Sequence, residues 1–271
     1  MSNTRRGLRV WWACLLLFIQ DSFVYRANAF IWMLTDVVTA VTMPLIWLSS
    51  YNGRHDIHGF SPSQMVVYYL VVLLVGSIVE AHVMWDMSYD IKQGKFNVHL
   101  IRSYSLMSYM FAANLGWRLV RTFVGLPAMA LVAFAFRGYL PSTMSVNAGW
   151  QFWLAVVLGH VVSFSITYAI GLLSLWLYET KSLHHFYYLM SLIFSGQIAP
   201  IALFPAGLQT VARLLPFPYV IGFPASIFLR RISDHAIYEG YAIQVGWIIT
   251  AMLLSTVLWR GGIKRYTAFG I

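Results

Sequence analysis

The sequence predicts an all-α membrane protein: six transmembrane helices preceded by an N-terminal interfacial helix, with re-entrant helices on the outer side between spans five and six. Three observations predict it. Of 271 residues, 59% are hydrophobic and 10% charged, against about 25% charged in an ordinary soluble domain. Apolar runs of the length that crosses a hydrocarbon core recur along the chain. Five of the nine prolines (Pro200, Pro205, Pro216, Pro218 and Pro224) crowd into one late stretch. With a mean hydropathy of +0.69, a core of this size cannot hide the apolar surface from water, and disorder is excluded because low hydrophobicity is its signature. The single cysteine, Cys14, excludes a disulfide framework and Cys-based zinc or iron–sulfur sites.

The six runs are residues 27–51, 65–85, 109–136, 150–178, 186–204 and 241–259, forming a single transmembrane domain over 1–271. The segment from Val10 to Ile19 is apolar but short and follows Arg5, Arg6 and Arg9. No small-residue cleavage site follows it, so residues 10–25 read better as an amphipathic helix in the interface than as a signal peptide, with Trp11 and Trp12 at headgroup depth. The net charge of +9 fits anchoring to anionic lipid rather than nucleic-acid binding. Six spans put both termini on one side. With the termini inside, Arg5, Arg6, Arg9, Arg26, Lys92, Lys95, Arg102, Lys181, Arg260, Lys264 and Arg265 fall on the cytoplasmic side. Arg54, Arg137, Arg213, Arg230 and Arg231 fall outside. This asymmetry predicts cytoplasmic termini.

No phosphate-binding loop, H-E-x-x-H, G-x-S-x-G or C-x-x-C motif is present, which removes the common nucleotide, metalloprotease, hydrolase and redox signatures. His184 and His185 are adjacent and point to different helix faces, a poor metal pair. The halves 1–135 and 136–271 show no internal repeat, unlike many secondary carriers.

Residues 86–104 between the second and third spans alternate charged and apolar residues. They contain a helix stop at Gly94, and Leu100 and Ile101 are expected to re-enter an apolar environment before Arg102. A short amphipathic element there would press on a cytosolic partner, while a solvated loop fixing topology is the plain reading. The proline-rich stretch from Ser195 to Pro224, which runs into the extracellular or re-entrant segment 204–240, has irregular backbone that membrane depth tolerates only under protein or around a water-filled cavity. It reads equally as re-entrant helices gating an exit and as a hairpin capping the bundle. In the fourth run Ala155, Gly159, Ser163, Thr167 and Gly171 recur every four residues on one helix face, a packing seam within or between subunits.

Asp36, Glu80, Arg118, Arg121 and His160 lie within spans, where charges pair with one another or face a cavity. Asp36 is expected to pair with Arg118 or Arg121. No continuous acid–histidine chain supports a proton relay. Glu80, His82 and Asp86 are the acid/base set that a membrane-embedded lipid-modifying enzyme would use, but Glu80 and His82 diverge on a helix.

The order of these elements resembles the permease subunit of bacterial type-2 ABC exporters, specifically the ABC-2 family transporter proteins. Three stretches carry the resemblance: the run from Ile91 to Arg102 with its Gly94–Lys95 pair; Gly196, Pro200 and Pro205 followed by Leu215-Pro216-Phe217 and Pro224; and the basic ending from Trp259 to Gly270. Ser103 departs from the family, which follows the arginine with proline. The resemblance implies that Asp90, Ile91, Lys92, Gln93, Gly94, Lys95, Phe96, Leu100 and Arg102 contact a separate cytosolic ABC ATPase dimer, which binds the ATP and magnesium while this chain holds no cofactor and catalyses nothing. It implies that Val10–Ile19 is the connecting elbow helix and that Gly196, Pro200, Pro205, Pro216, Phe217 and Pro224 form the outer re-entrant gate. It further implies a second permease chain, identical or related, and alternating access in the bacterial inner membrane. A proton-driven carrier and the lipid-modifying enzyme remain the competing readings.

Overall fold

The computed structural model describes residues 3–102, 104–140, 145–177 and 179–266. Its α-helices, in chain order, are α1 (Asn3–Val24), α2 (Arg26–Ser50), α3 (Pro62–Val79), α4 (Val83–Lys92), α5 (Asn97–Ile101), α6 (Leu106–Ala135), α7 (Trp150–Leu172), α8 (Lys181–Phe194), α9 (Ala206–Leu214), α10 (Gly222–Phe228) and α11 (Asp234–Gly262). Among the described residues six stretches are long and apolar enough to cross a membrane: Gly7–Val24, Ala27–Ser50, Pro62–Lys92, Leu106–Ala135, Trp150–Leu175 and Asp234–Gly262.

Local chemistry sets the ends. α3 opens on a capping box: the Gln64 N–H donates to Ser61 Oγ at 3.2 Å, the Ser61 N–H donates to Gln64 Oε1 at 3.2 Å, and Pro62 takes a first-turn position whose N–H would have no partner. α11 opens on Ser233, whose Oγ accepts from the Ala236 N–H at 3.4 Å. It carries Asp234 in its first turn and Arg260 in its last, both signs favoured by the helix dipole.

Three stretches differ from the sequence expectation. The N-terminal helix runs unbroken to Val24, so its apolar window, Gly7–Val24, reaches span length instead of stopping short; a count of unbroken apolar residues leaves out Gly7, Leu8 and Arg9 at one end and Gln20 to Val24 at the other. The run 186–204 is not one helix. α8 stops at Phe194, because Gly196 takes φ +92°, a left-handed conformation that favours glycine, and Pro200 follows. The fourth run also ends early, at Leu172 with a 3-10 turn through Leu175; position 178 lies outside the described residues.

Contacts along the helices give their directions. α3–α4 and α7 run parallel, with Phe152 and Ala155 in one cluster with Met65 and Val75 at one end, and Gly171 against Met84 and Met87 at the other. α11 runs with them: Tyr241 Oη donates to the Gln151 carbonyl at 2.7 Å, and Gly262 abuts Leu175. α6 runs the opposite way, with Phe136 packing near Val66 and Leu106 near Ile91. α1 lies along the first half of α6, where Phe18 meets the Tyr109 ring at 5.0 Å and Gly116 leaves room for the Phe18–Ile19 backbone. Most large apolar side chains of α1, α2 and the second half of α6 face outward, as expected of surfaces met by lipid or by another chain.

Candidate functional site

The long second stretch, Pro62–Lys92, is interrupted in its interior. The α3 helix ends as Glu80 turns extended (ψ 133°), and α4 restarts at Val83. A break in hydrocarbon leaves peptide groups that need partners, and the small-residue face of α7 supplies them. The Ala81 N–H donates to Ser163 Oγ at 3.0 Å, and His160 Nδ1 bonds the Ile78 carbonyl at 3.0 Å. The rest of that face is backbone-close packing. A Cβ on Gly159 would lie 2.9 Å from the Val220 carbonyl oxygen, and one on Gly171 3.1 Å from Met84 Cα. Ala155 and Thr167 are buried, and the Thr167 hydroxyl donates back to the Ser163 carbonyl at 2.8 Å. In the structure this stripe contacts α4 and the 217–220 turn of the same chain.

Charged groups gather around the break. Asn114, Arg118 and Arg121 occupy one side of α6, all buried. Arg121 Nη2 donates to Asp36 Oδ2 at 2.5 Å, Arg118 Nη2 donates to His82 Nδ1, and Gln197 Nε2 donates to Glu80 Oε1 at 3.0 Å. Two carboxylates, Asp36 and Glu80, thus balance two guanidiniums. Of the partners open to Asp36, the structure chooses Arg121. Glu80 and His82 are bonded to different partners, and Asp86 is exposed on α4, so this acid/base trio is not gathered into one site. Among the described residues no group of three or more His, Cys, Asp or Glu is arranged to hold a metal. The rings of His184 and His185 both meet Trp85, at 4.7 and 5.1 Å.

From the break, α4 leads to the loop expected to couple. Gly94, at φ +68°, lets the chain reverse. The Gly94 N–H bonds the Ile91 carbonyl at 3.2 Å and the Phe96 N–H the Asp90 carbonyl at 3.1 Å. The reversal drives Phe96 inward, fully buried between Trp259 (6.2 Å) and Tyr266 (5.3 Å). Asp90 Oδ2 pairs with His99 Nε2 at 3.3 Å, and Lys95 lies over the Tyr89 ring at 5.0 Å. Lys92 bonds Glu179 at 3.1 Å; the Lys181 backbone N–H, and then this ammonium, hold the Glu179 carboxyl below its usual range. Gln93 caps α4. Leu100 and Ile101 do not pack into the chain's own core. Ile101 is 84% exposed and Leu100 40%, since the inward turn of Phe96 leaves α5 with its apolar side outward.

The proline-rich segment resolves into short pieces. α8 packs from the Trp85 level toward the start of α3, and the irregular backbone after it is satisfied by side chains. Tyr68 Oη donates to the Gly196 carbonyl at 2.7 Å, and Tyr69 Oη to the Ile198 carbonyl at 2.6 Å. Pro200 precedes a 3-10 turn, Pro205 precedes α9, Pro216 opens the turn carrying buried Phe217, and Pro224 lies within the first turn of α10.

Two amides escaped the sequence reading. Gln197 holds Glu80, and Gln244, fully buried, donates to the carbonyls of Ala155 at 3.0 Å and Tyr219 at 2.8 Å. An amide in the apolar run 241–259 is itself the signal, since a buried polar side chain needs partners.

No curated protein and no solved structure matches the chain. A family model described as ABC-2 family transporter protein matches residues 37–270, which includes the broken stretch, the 90–102 loop and the proline-rich segment; the end of the basic tail, 267–270, lies outside the described residues. With six stretches fit to cross a membrane among the described residues and this match over most of its length, the chain belongs to the ABC-2 family transporter proteins and is a multi-pass membrane permease.

Proposed function

We propose that this chain forms half of a translocation path in a type-2 ABC exporter and takes its work from a separate ABC ATPase through the 90–102 loop. The observation that carries this reading is the union of an outward apolar edge with a lever. Val98 and Ile101 are exposed on α5, α5 is locked to α11 through Phe96, and α4 joins this assembly to the break at Glu80–His82. Force on the α5 edge therefore travels along α4 to the point where the helix is already interrupted. The break is a hinge: α4 moves while α3 stays in the core. In this reading α1 is the elbow helix, residues 195–228 form the outer re-entrant gate, and a second permease chain completes the path by alternating access between inward and outward states. The catalytic machinery, with its ATP and magnesium, resides in the partner. Glu80 is bonded to Gln197 and His82 to Arg118, which does not favour the lipid-modifying reading.

The test is retention of the ATPase. The full chain purified from its native membrane is expected to carry an ABC ATPase and to raise its ATP turnover, and Ile101→Asp is expected to lose both while the thermal transition of the permease is unchanged. Equal retention and turnover with the Ile101→Asp chain overturns the coupling assignment.

A further inference from the structure

A cavity of about 440 Å³ opens at the same end as the 90–102 loop, between the start of α6 and the end of α11. Arg102 and Arg260 both line it, with Tyr168, Met252 and Trp259 supplying apolar wall. Tyr104 orients Arg102: Arg102 Nη1 donates to Tyr104 Oη at 3.0 Å, and Tyr104 is itself stacked on Tyr109 at 5.0 Å and 10°. Neither arginine has a carboxylate partner among the ion pairs of the described residues. Two guanidiniums without counter-charges, one of them held in place, beside an apolar groove at the edge of the spans, match one ligand chemistry: a phosphate group carried on an apolar body. Guanidiniums bind phosphate through paired N–H donors, and basic pockets between transmembrane helices on the cytoplasmic side are suited to anionic lipid headgroups.

We infer that this groove binds the phosphate headgroup of an anionic phospholipid of the inner leaflet, its acyl chains lying along Tyr168 and Met252. This rests on the membrane placement of α6 and α11 and not on coupling to an ATPase, so the two stand or fall by different measurements. A lipid seated there would touch both α6 and the helix whose Trp259 holds Phe96, and so would steady the base of the coupling loop.

The experiment uses the full chain in neutral detergent, with dioleoylphosphatidylglycerol, dioleoylphosphatidylcholine and inorganic phosphate as probes. Native mass spectrometry is expected to show phosphatidylglycerol retained over phosphatidylcholine by tenfold or more. Arg102→Ala combined with Arg260→Ala is expected to erase that preference, whereas Arg54→Ala combined with Arg137→Ala, removing equal charge elsewhere, leaves it intact. On the unaltered chain, phosphatidylglycerol should slow deuterium uptake in 252–260, with phosphatidylcholine lacking the effect, so the site is tested even if the double variant does not fold. Equal retention of the two lipids, unchanged preference in the Arg102/Arg260 variant, or no protection of 252–260 overturns the inference. Displacement of the lipid by millimolar inorganic phosphate overturns it in favour of a soluble phosphate ligand.

Discussion

At the residue scale, the pairing of Asp36 with Arg121 sets the terms for every charge in the spans. A charge at membrane depth is costly unless matched, and removing one member of a buried pair leaves the other uncompensated. Arg121→Leu should therefore destabilise the chain by about 3 kcal/mol. Joining it to Asp36→Leu should restore most of the loss, because two apolar side chains in the same space carry no unmatched charge. Thermal unfolding of the detergent-purified variants measures this, and a double variant as unstable as the single one refutes the pairing. That Asp36 faces an arginine was legible in the sequence, since an acid and two bases in separate apolar runs have few other partners. Which arginine it meets was not legible. It depends on the rotation of α6, which turns Arg118 toward His82 and leaves Arg121 for Asp36. Gln197 was hidden for a similar reason: its role exists only because Gly196 and Pro200 end α8 beside Glu80.

At the scale of elements, the break between α3 and α4 and the small-residue face of α7 depend on one another. The freed Ala81 N–H is satisfied because Ser163 comes within bonding reach, and that approach is possible because glycine stands on the same face at 159 and 171. Gly159→Ala brings a methyl against a backbone carbonyl that cannot swing away, and should cost about 1–3 kcal/mol, the range for overpacking. Gly246 in α11 has nothing within 4 Å of an added Cβ, so Gly246→Ala should instead stabilise by about 0.5–1 kcal/mol by restricting the unfolded backbone. Melting curves of the two variants should move in opposite directions; a Gly159→Ala chain as stable as the parent would mean α7 does not press on the 217–220 turn. The four-residue spacing announced this seam in the sequence. The helix break it serves did not announce itself, because residues 65–85 read as one apolar run: nothing between Val79 and Val83 is proline or glycine, and the interruption comes from tertiary partners rather than local propensity. The proline-rich segment shows the reverse case, where local chemistry declared the irregularity and only its hydrogen-bond partners, Tyr68 and Tyr69, needed the fold.

At the scale of the whole molecule, the length of Pro62–Lys92 carries a topological consequence. Its two helices, α3 of 18 residues and α4 of 10, are about 27 and about 15 Å long at 1.5 Å per residue and follow one another along α7, so end to end they exceed the ~30 Å of a hydrocarbon core. The turn around Arg54 and the loop around Lys95 are then expected on opposite faces of the membrane, and the excess of basic residues on the Lys95 side predicts a cytoplasmic loop. The experiment needs one thiol at a time, which the sequence makes simple: with Cys14→Ser as background, either Arg54→Cys or Lys95→Cys is introduced into the full chain. A membrane-impermeant maleimide applied to intact cells should modify the Arg54→Cys chain and spare the Lys95→Cys chain, and opening the cells should expose the latter. Labelling of Lys95→Cys from outside would invert the molecule, carrying the α5 edge away from any cytosolic ATPase. Labelling of both from one face would mean that α3 and α4 fold back at Glu80–His82, and the hinge would be a hairpin.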